Sequence, residues 1–258
     1  MEAAQTISLV IPAHNEAERL PRTLDQYLPA LQSLRVPYEV IVISDGTDQT
    51  PAVARAYSSQ GVRCNEYPRK LGRGGAVLEG FRSSSCSIVA YADADGSVPP
   101  GDLTKILQRA LAGARAVIAS RRLDPDIVVV PETALRRYIG TAWHLLVRLL
   151  LGLRVKDAQC GLKAFSRSVV TQIILPRVRV TNRTFEVGML YHVQAAGVEL
   201  EEIPVKYVHD FRTRMPILRA MPVMFLTLLG IFLVNVVLTD RKAAPTLLVE
   251  LNTRFDAT

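Results

Sequence analysis

The sequence predicts an α/β protein with a doubly wound, mostly parallel sheet. Along residues 1–125, short apolar runs alternate with longer stretches of helical period. Each of those runs gives way to a polar turn. With 258 residues, 49% hydrophobic and 21% charged, the chain can bury one large core and is no disordered segment.

In order, Ile7–Pro12 reads as a strand and Glu16–Leu34 as a helix with Leu20, Leu24, Tyr27, Leu28 and Leu31 on one face. Tyr38–Ser44 is a second strand, followed by a helix carrying Val53, Ala54 and Tyr57. Gly61–Tyr67 is a weaker strand. Gly72-Arg-Gly-Gly75 then leads into a helix through Val77, Leu78 and Phe81. An apolar run from Ser87 ends in Asp93-Ala-Asp95-Gly96, and a helix follows from about Pro100 to Leu111. Ala114–Ser120 is another strand, ending at Arg121-Arg122.

Beyond about residue 125 the pattern changes. Leu135–Leu153 is a long apolar helix carrying Arg136, Arg137 and Arg148. Asp157-Ala-Gln-Cys-Gly161 makes a turn before a strand at Leu162–Phe165. A helix is expected at about Thr184–Ala195, and a strand at Val198–Val208 interrupted by Pro204. Residues 220–239 hold no charged side chain, and 20 residues at ~1.5 Å rise span ~30 Å, the hydrocarbon thickness of a bilayer. A membrane segment is favoured over a buried core helix. Arg212, Arg214 and Arg219 before it place the folded domain on the cytoplasmic side. The expected division is a catalytic domain at 1–211, with an interface helix at about 133–153, and a membrane-associated segment at 212–258.

The net charge of +7 implies anionic company: a nucleotide, a lipid phosphate or a membrane surface. No nucleic-acid-binding signature accompanies it, so nucleic acid is not an expected partner. Cys64, Cys86 and Cys160 show neither pairing nor metal spacing and suggest a reducing compartment. The first strand begins within a few residues of Met1, which leaves no room for a signal peptide. No G-x-S-x-G nucleophile motif occurs, so acyl-enzyme chemistry is not expected.

Three turns carry the candidate chemistry: Pro12-Ala13-His14-Asn15-Glu16, Ser44-Asp45-Gly46-Thr47-Asp48 and Asp93-Ala94-Asp95-Gly96. Each alone could cap a helix. Together, at the carboxyl edge of one sheet, they predict a ligand pocket. Asp93 and Asp95 are spaced to grip a hard divalent cation, Mg²⁺ or Mn²⁺, although two solvated acids at a strand end would read the same. Asp45 could accept the ring N–H of a uracil or guanine base. Gly72-Arg73-Gly74-Gly75 is neither a dinucleotide fingerprint nor a P-loop; it is a flexible turn, or a place where Arg73 and backbone N–H groups meet a phosphate.

In this order, the motifs resemble those of family 2 glycosyltransferases with the GT-A fold, and among them the polyprenyl-phosphate sugar synthases, especially the dolichyl-phosphate β-glucosyltransferases. The likeness runs from about residue 5 to 210. It rests on Pro12–Glu16 (P-A-Y-N-E in that family, with His14 for the Tyr), Asp93–Gly96, Gly72–Ala76, Asp157–Gly161 and Arg183-Thr-Phe-Glu186.

The resemblance implies inverting transfer of a hexose from a nucleotide diphosphate sugar to a polyprenyl or dolichyl phosphate, UDP-glucose ahead of GDP-mannose. Asp95, with Asp93, would hold the metal. Pro12, Ala13, Asn15, Glu16, Asp45, Arg73, Asp93 and Ala94 would line the donor. Arg121, Arg136, Arg137 and Arg183 would hold the acceptor phosphate. Asp157 would orient the sugar or balance arginine charge, and would be the base if the acceptor were a hydroxyl. A soluble glycosyltransferase with a small hydroxyl acceptor and a non-catalytic nucleotide-sugar or lipid-phosphate binder are the rival readings.

Overall fold

A computed structural model describes residues 5–124, 134–179, 184–206 and 217–237; for 134–138, 217–220 and 236–237 only the helical backbone is described. The strands are β1 (Ile7–Ala13), β2 (Tyr38–Ser44), β3 (Val62–Glu66), β4 (Ile88–Ala92), β5 (Ala116–Ser120), β6 (Leu162–Ser166) and β7 (Glu201–Pro204). They form one sheet in the order β3-β2-β1-β4-β6-β5-β7. All the pairings are parallel except those of β6, which runs antiparallel to both β4 and β5. The expected α/β class and doubly wound sheet hold.

Side chains alternate across the sheet, as strand geometry requires. On one face Ile7, Leu9 and Ile11 pack with α1 (Leu20–Ser33) and α4 (Pro100–Leu111) through Leu24, Leu28, Leu103 and Ile106. On the other, Val10 and Tyr91 meet α3 (Gly72–Ser83) and α8 (Phe185–Ala195) through Val77, Phe81, Met189 and Leu190. The helix α2 (Thr50–Ala56) follows β2. Both layers are helical, so β1, β2 and β4 are buried on both sides and read as near-continuous apolar runs.

Several boundaries differ from expectation. α1 begins at Leu20 rather than Glu16, with Pro21 in its first turn, where the missing N–H costs nothing. β7 stops at Pro204, although Val205 still donates to the Ser120 carbonyl at 3.1 Å. An unexpected helical stretch follows β6: α6 (Arg167–Val169), a π-turn (Val170–Ile174) and α7 (Leu175–Arg177).

Of the expected membrane segment, residues 220–237 are described. α5 (Ala134–Leu151) and α9 (Ile217–Phe232) are the apolar helices, and among the described residues no helix is long and apolar enough to cross a membrane. The 16 residues of α9 reach ~24 Å at 1.5 Å per residue. A π-turn follows at Leu233–Val237, where the Asn235 side chain donates to the Ile231 carbonyl at 2.8 Å. One face of α9 belongs to the core: Leu228 and Ile231 are buried, and Ile231 lies against Gly188 of α8. Residues 238–239 of the expected segment lie outside the described residues.

Candidate active site

The parallel strands β1, β2, β4 and β5 all end at the same edge, bringing His14–Glu16, Asp45, Asp93–Asp95 and Arg121 together there. The reversed strand β6 starts at that edge, so the Asp157–Gly161 turn joins them from the opposite chain direction.

The first two turns are tied to each other. Asn15 adopts a left-handed backbone, φ 57°, and its Oδ1 accepts from the N–H groups of Thr47 at 2.8 Å and Asp48 at 3.3 Å. A Cβ at Gly46 would lie 2.3 Å from that oxygen, so only glycine fits. Asp45 is buried; its Oδ2 accepts the Leu71 N–H at 2.7 Å and its Oδ1 lies 2.9 Å from His14 Nδ1. Each oxygen keeps a lone pair for a further donor. Glu16 pairs with Arg19 at 2.5 Å; burial raises its pKa, Arg19 opposes, and the charges of Asp95 and Asp93 add to the rise.

The acids of the third turn differ. Asp93 is clasped on both oxygens by Arg73, Nε to Oδ1 at 2.9 Å and Nη2 to Oδ2 at 3.1 Å. Asp95 Oδ1 accepts the Ser97 N–H at 3.0 Å, and Oδ2 has no hydrogen bond among the described residues. Between them Ala94 is buried, its carbonyl held by Thr23 Oγ1 at 2.7 Å. Pro12 and Ala13 continue β1 against Ile43 and Ser44.

Arg73 does not stand on a loop. Gly72–Gly75 form the first turn of α3, with Gly74 and Gly75 buried, and the Arg73 side chain turns inward. Besides Asp93 it holds Glu186 of α8 at 2.8 Å.

On the far side, Arg121 and Asp157 make a closed pair: Nε to Oδ2 at 2.7 Å, Nη2 to Oδ1 at 2.9 Å, and the Arg121 N–H to Oδ2 at 3.0 Å. Burial alone would raise the Asp157 pKa. The Arg121 guanidinium and N–H, with the charge of Lys163, outweigh it and hold the carboxyl at about 2. A cleft of about 60 Å³ opens beside the pair, lined also by Arg122, Trp143, His144 and Lys156.

A model of glycosyl transferase family 2 matches residues 8–174, which span β1 to the π-turn after β6. The chain belongs to glycosyl transferase family 2. The chain is 32% identical over 217 residues to the dolichyl-phosphate beta-glucosyltransferase of Drosophila melanogaster, covering 78% of its own length and 66% of the fly protein's. It is 31% identical over 202 residues to the undecaprenyl-phosphate mannosyltransferase of Micrococcus luteus, covering 77% and 82%. In fold it matches the crystal structure of Mycobacterium tuberculosis glucosyl-3-phosphoglycerate synthase in complex with Mg²⁺ and uridine diphosphate, with a TM-score of 0.68 and 21% identity over 92% and 81% of the two chains. The fold is GT-A.

Of the expected acceptor arginines, Arg121 is placed as described. Arg136 and Arg137 fall on the first turn of α5, and their side chains, with the whole of Arg183, lie outside the described residues. Lys163 was not expected at the site, and Glu186, quoted only within the Arg183–Glu186 motif, was given no role there; the two are fully buried and paired at 2.9 Å. A lysine inside the apolar strand Leu162–Ser166 was the available signal.

Proposed function

We propose that this glycosyltransferase moves a hexose, glucose foremost, from a nucleotide diphosphate sugar to a polyprenyl or dolichyl phosphate. Transfer inverts the anomeric carbon, and the catalytic domain lies on the cytoplasmic face of a membrane. The observation that carries the reading is the Arg121–Asp157 pair. A carboxylate held at about 2, with both oxygens in a guanidinium's grip, is a poor general base. A hydroxyl acceptor needs such a base. A phosphate monoester does not, because its second pKa of about 6 leaves it largely ionised at neutral pH.

An ionised acceptor needs cations to hold it in line with the anomeric carbon. Arg121, Arg122, His144 and Lys156 line one cleft, and Arg136, Arg137 and Arg183 are proposed beside them on sequence grounds. Leu145 and Leu149 of α5, and Phe225 and Leu226 of α9, expose large apolar side chains, with Leu149 at 72%. α5 thus combines an apolar surface for a lipid with Trp143 and His144 in the cleft. The net charge of +7 suits anionic headgroups.

On the donor side, Asp45 would receive a ring N–H of the base, with Pro12, Ala13, Asn15, Glu16 and Ala94 around it. The glucosyl relatives favour UDP-glucose; the mannosyl relative keeps GDP-mannose second. Mg²⁺ or Mn²⁺ would sit on Asp95 with Asp93 beside it. The residues fit such an ion: Asp95 keeps an oxygen without a hydrogen bond, the nearby Ser97 Oγ is buried without a partner among the described residues, and carboxylate oxygens suit hard cations. Among the described residues no three His, Cys, Asp or Glu side chains form a metal cage, so the donor phosphates would complete the coordination. Such an ion neutralises charge developing on the leaving nucleoside diphosphate. A donor panel against polyprenyl phosphate, scored for lipid-linked hexose, tests the whole reading.

A further inference from the structure

Beneath the two aspartates lies a charged cluster that the donor and acceptor sites leave unexplained. Glu186 Oε1 accepts from Lys163 Nζ at 2.9 Å and from the Tyr91 hydroxyl at 2.6 Å, all three side chains being fully buried. Lys163 also donates to the Cys160 carbonyl at 2.7 Å. Arg73 enters from above, giving Nη1 to Glu186 Oε2 at 2.8 Å and its other nitrogens to Asp93. Two cations, Arg73 and Lys163, balance two anions, Asp93 and Glu186.

The two anions differ in access. The Glu186 side chain is 0% exposed and that of Asp93 27%. The guanidinium is therefore anchored at depth and shared at the site's edge. Were Asp93 to turn to a divalent ion, the buried remainder would be two cations against one anion. The surplus positive charge would stand on Arg73, beside the place where a diphosphate needs it.

We infer that Glu186 is a positioning residue that anchors Arg73, so that one guanidinium serves either Asp93 or the donor diphosphate, according to whether Asp93 has turned to a divalent ion. The inference rests on the donor site proposed above. Glu186 itself touches no substrate atom; it acts through Arg73.

The test is calorimetric titration of Mn²⁺ and of UDP into the full chain, into Glu186→Gln and into Arg73→Gln, each first checked for cooperative thermal unfolding. In Glu186→Gln the guanidinium leans on Asp93 alone, and Mn²⁺ affinity measured with UDP present should fall about tenfold. In Arg73→Gln Asp93 is freed, so Mn²⁺ affinity without nucleotide should rise while UDP affinity falls about tenfold. Unchanged Mn²⁺ affinity in Glu186→Gln, or no rise in Arg73→Gln, overturns the inference and leaves the donor site standing. If Glu186→Gln does not fold, the Arg73→Gln titrations decide alone. A parent chain that binds UDP without any dependence on Mn²⁺ overturns the donor-site reading and the inference with it.

Discussion

Arg121 and Asp157 are locked face to face, guanidinium to carboxylate, by hydrogen bonds of 2.7 and 2.9 Å, and the Arg121 backbone N–H adds a third at 3.0 Å. The pair bridges the end of β5 and the turn that leads into β6. Asp157 therefore fixes the direction of the arginine and stays ionised at neutral pH.

Asp157→Asn should accordingly behave as the loss of a positioning group. Initial rates should fall by about tenfold, against the ~10²–10⁴-fold expected for losing a general base. The acid limb of the pH–rate profile, near the second phosphate pKa of about 6, should persist in the variant. A limb that vanishes with the substitution would identify Asp157 as the titrating base.

Asp95→Ala removes the carboxylate that keeps an open oxygen at the site. Turnover should drop by at least ~10²-fold, and chelation with EDTA should bring the parent to the same level. A protein that merely binds its ligands would form no metal-dependent product in either chain.

Lys163 and Glu186 make a fully buried ion pair. Lys163→Met leaves Glu186 with Arg73 and Tyr91 but removes a buried charge partner, which should destabilise the fold by ~3–5 kcal/mol in urea denaturation. Adding Glu186→Gln to that variant should recover part of the loss, because no uncompensated charge then remains. A double variant no more stable than Lys163→Met would contradict this.

His192 on α8 supplies a pH test of stability. Burial, with the charge of Arg177 added, pushes its pKa down to about 4, against 6.5 for a free side chain. Between those values the unfolded chain binds the proton and the folded one does not. Stability should therefore fall as pH drops from 6.5 towards 4, by about 2 kcal/mol at pH 5. Denaturation of His192→Gln should be flatter across that window. Asp157 works further down: its depressed carboxyl contributes stability above the ordinary value of 3.8 that is lost as pH falls through about 2.

The alternation of apolar runs and helical periods predicted the sheet because β1, β2 and β4 are covered on both faces, which leaves an unbroken apolar signature. It could not reveal that β6 runs backwards. Strand direction is set by what lies on either side, and a five-residue run reads the same both ways. That reversal carries Asp157 to the site although its turn precedes a strand. Gly72–Gly75 was equally opaque. Three glycines in four positions argue against helix, yet the buried packing of Gly74 and Gly75 overrides propensity and turns Arg73 inward. The Asp93–Asp95 spacing alone reads equally as two solvated acids, and only the neighbouring turns single it out. Asp95's division of labour with Asp93 was drawn from the likeness, and the structure adds the physical difference: one acid is clasped by an arginine and the other is open.

Hexosyl transfer to an ionised lipid phosphate is tested most directly by a product assay. The full chain is incubated with UDP-glucose or GDP-mannose, Mn²⁺ or Mg²⁺, and either polyprenyl phosphate in detergent or a water-soluble alcohol. Metal-dependent lipid-linked hexose should form, greatest from UDP-glucose, with no product on the alcohol. Full activity on the alcohol with none on the lipid phosphate would contradict it.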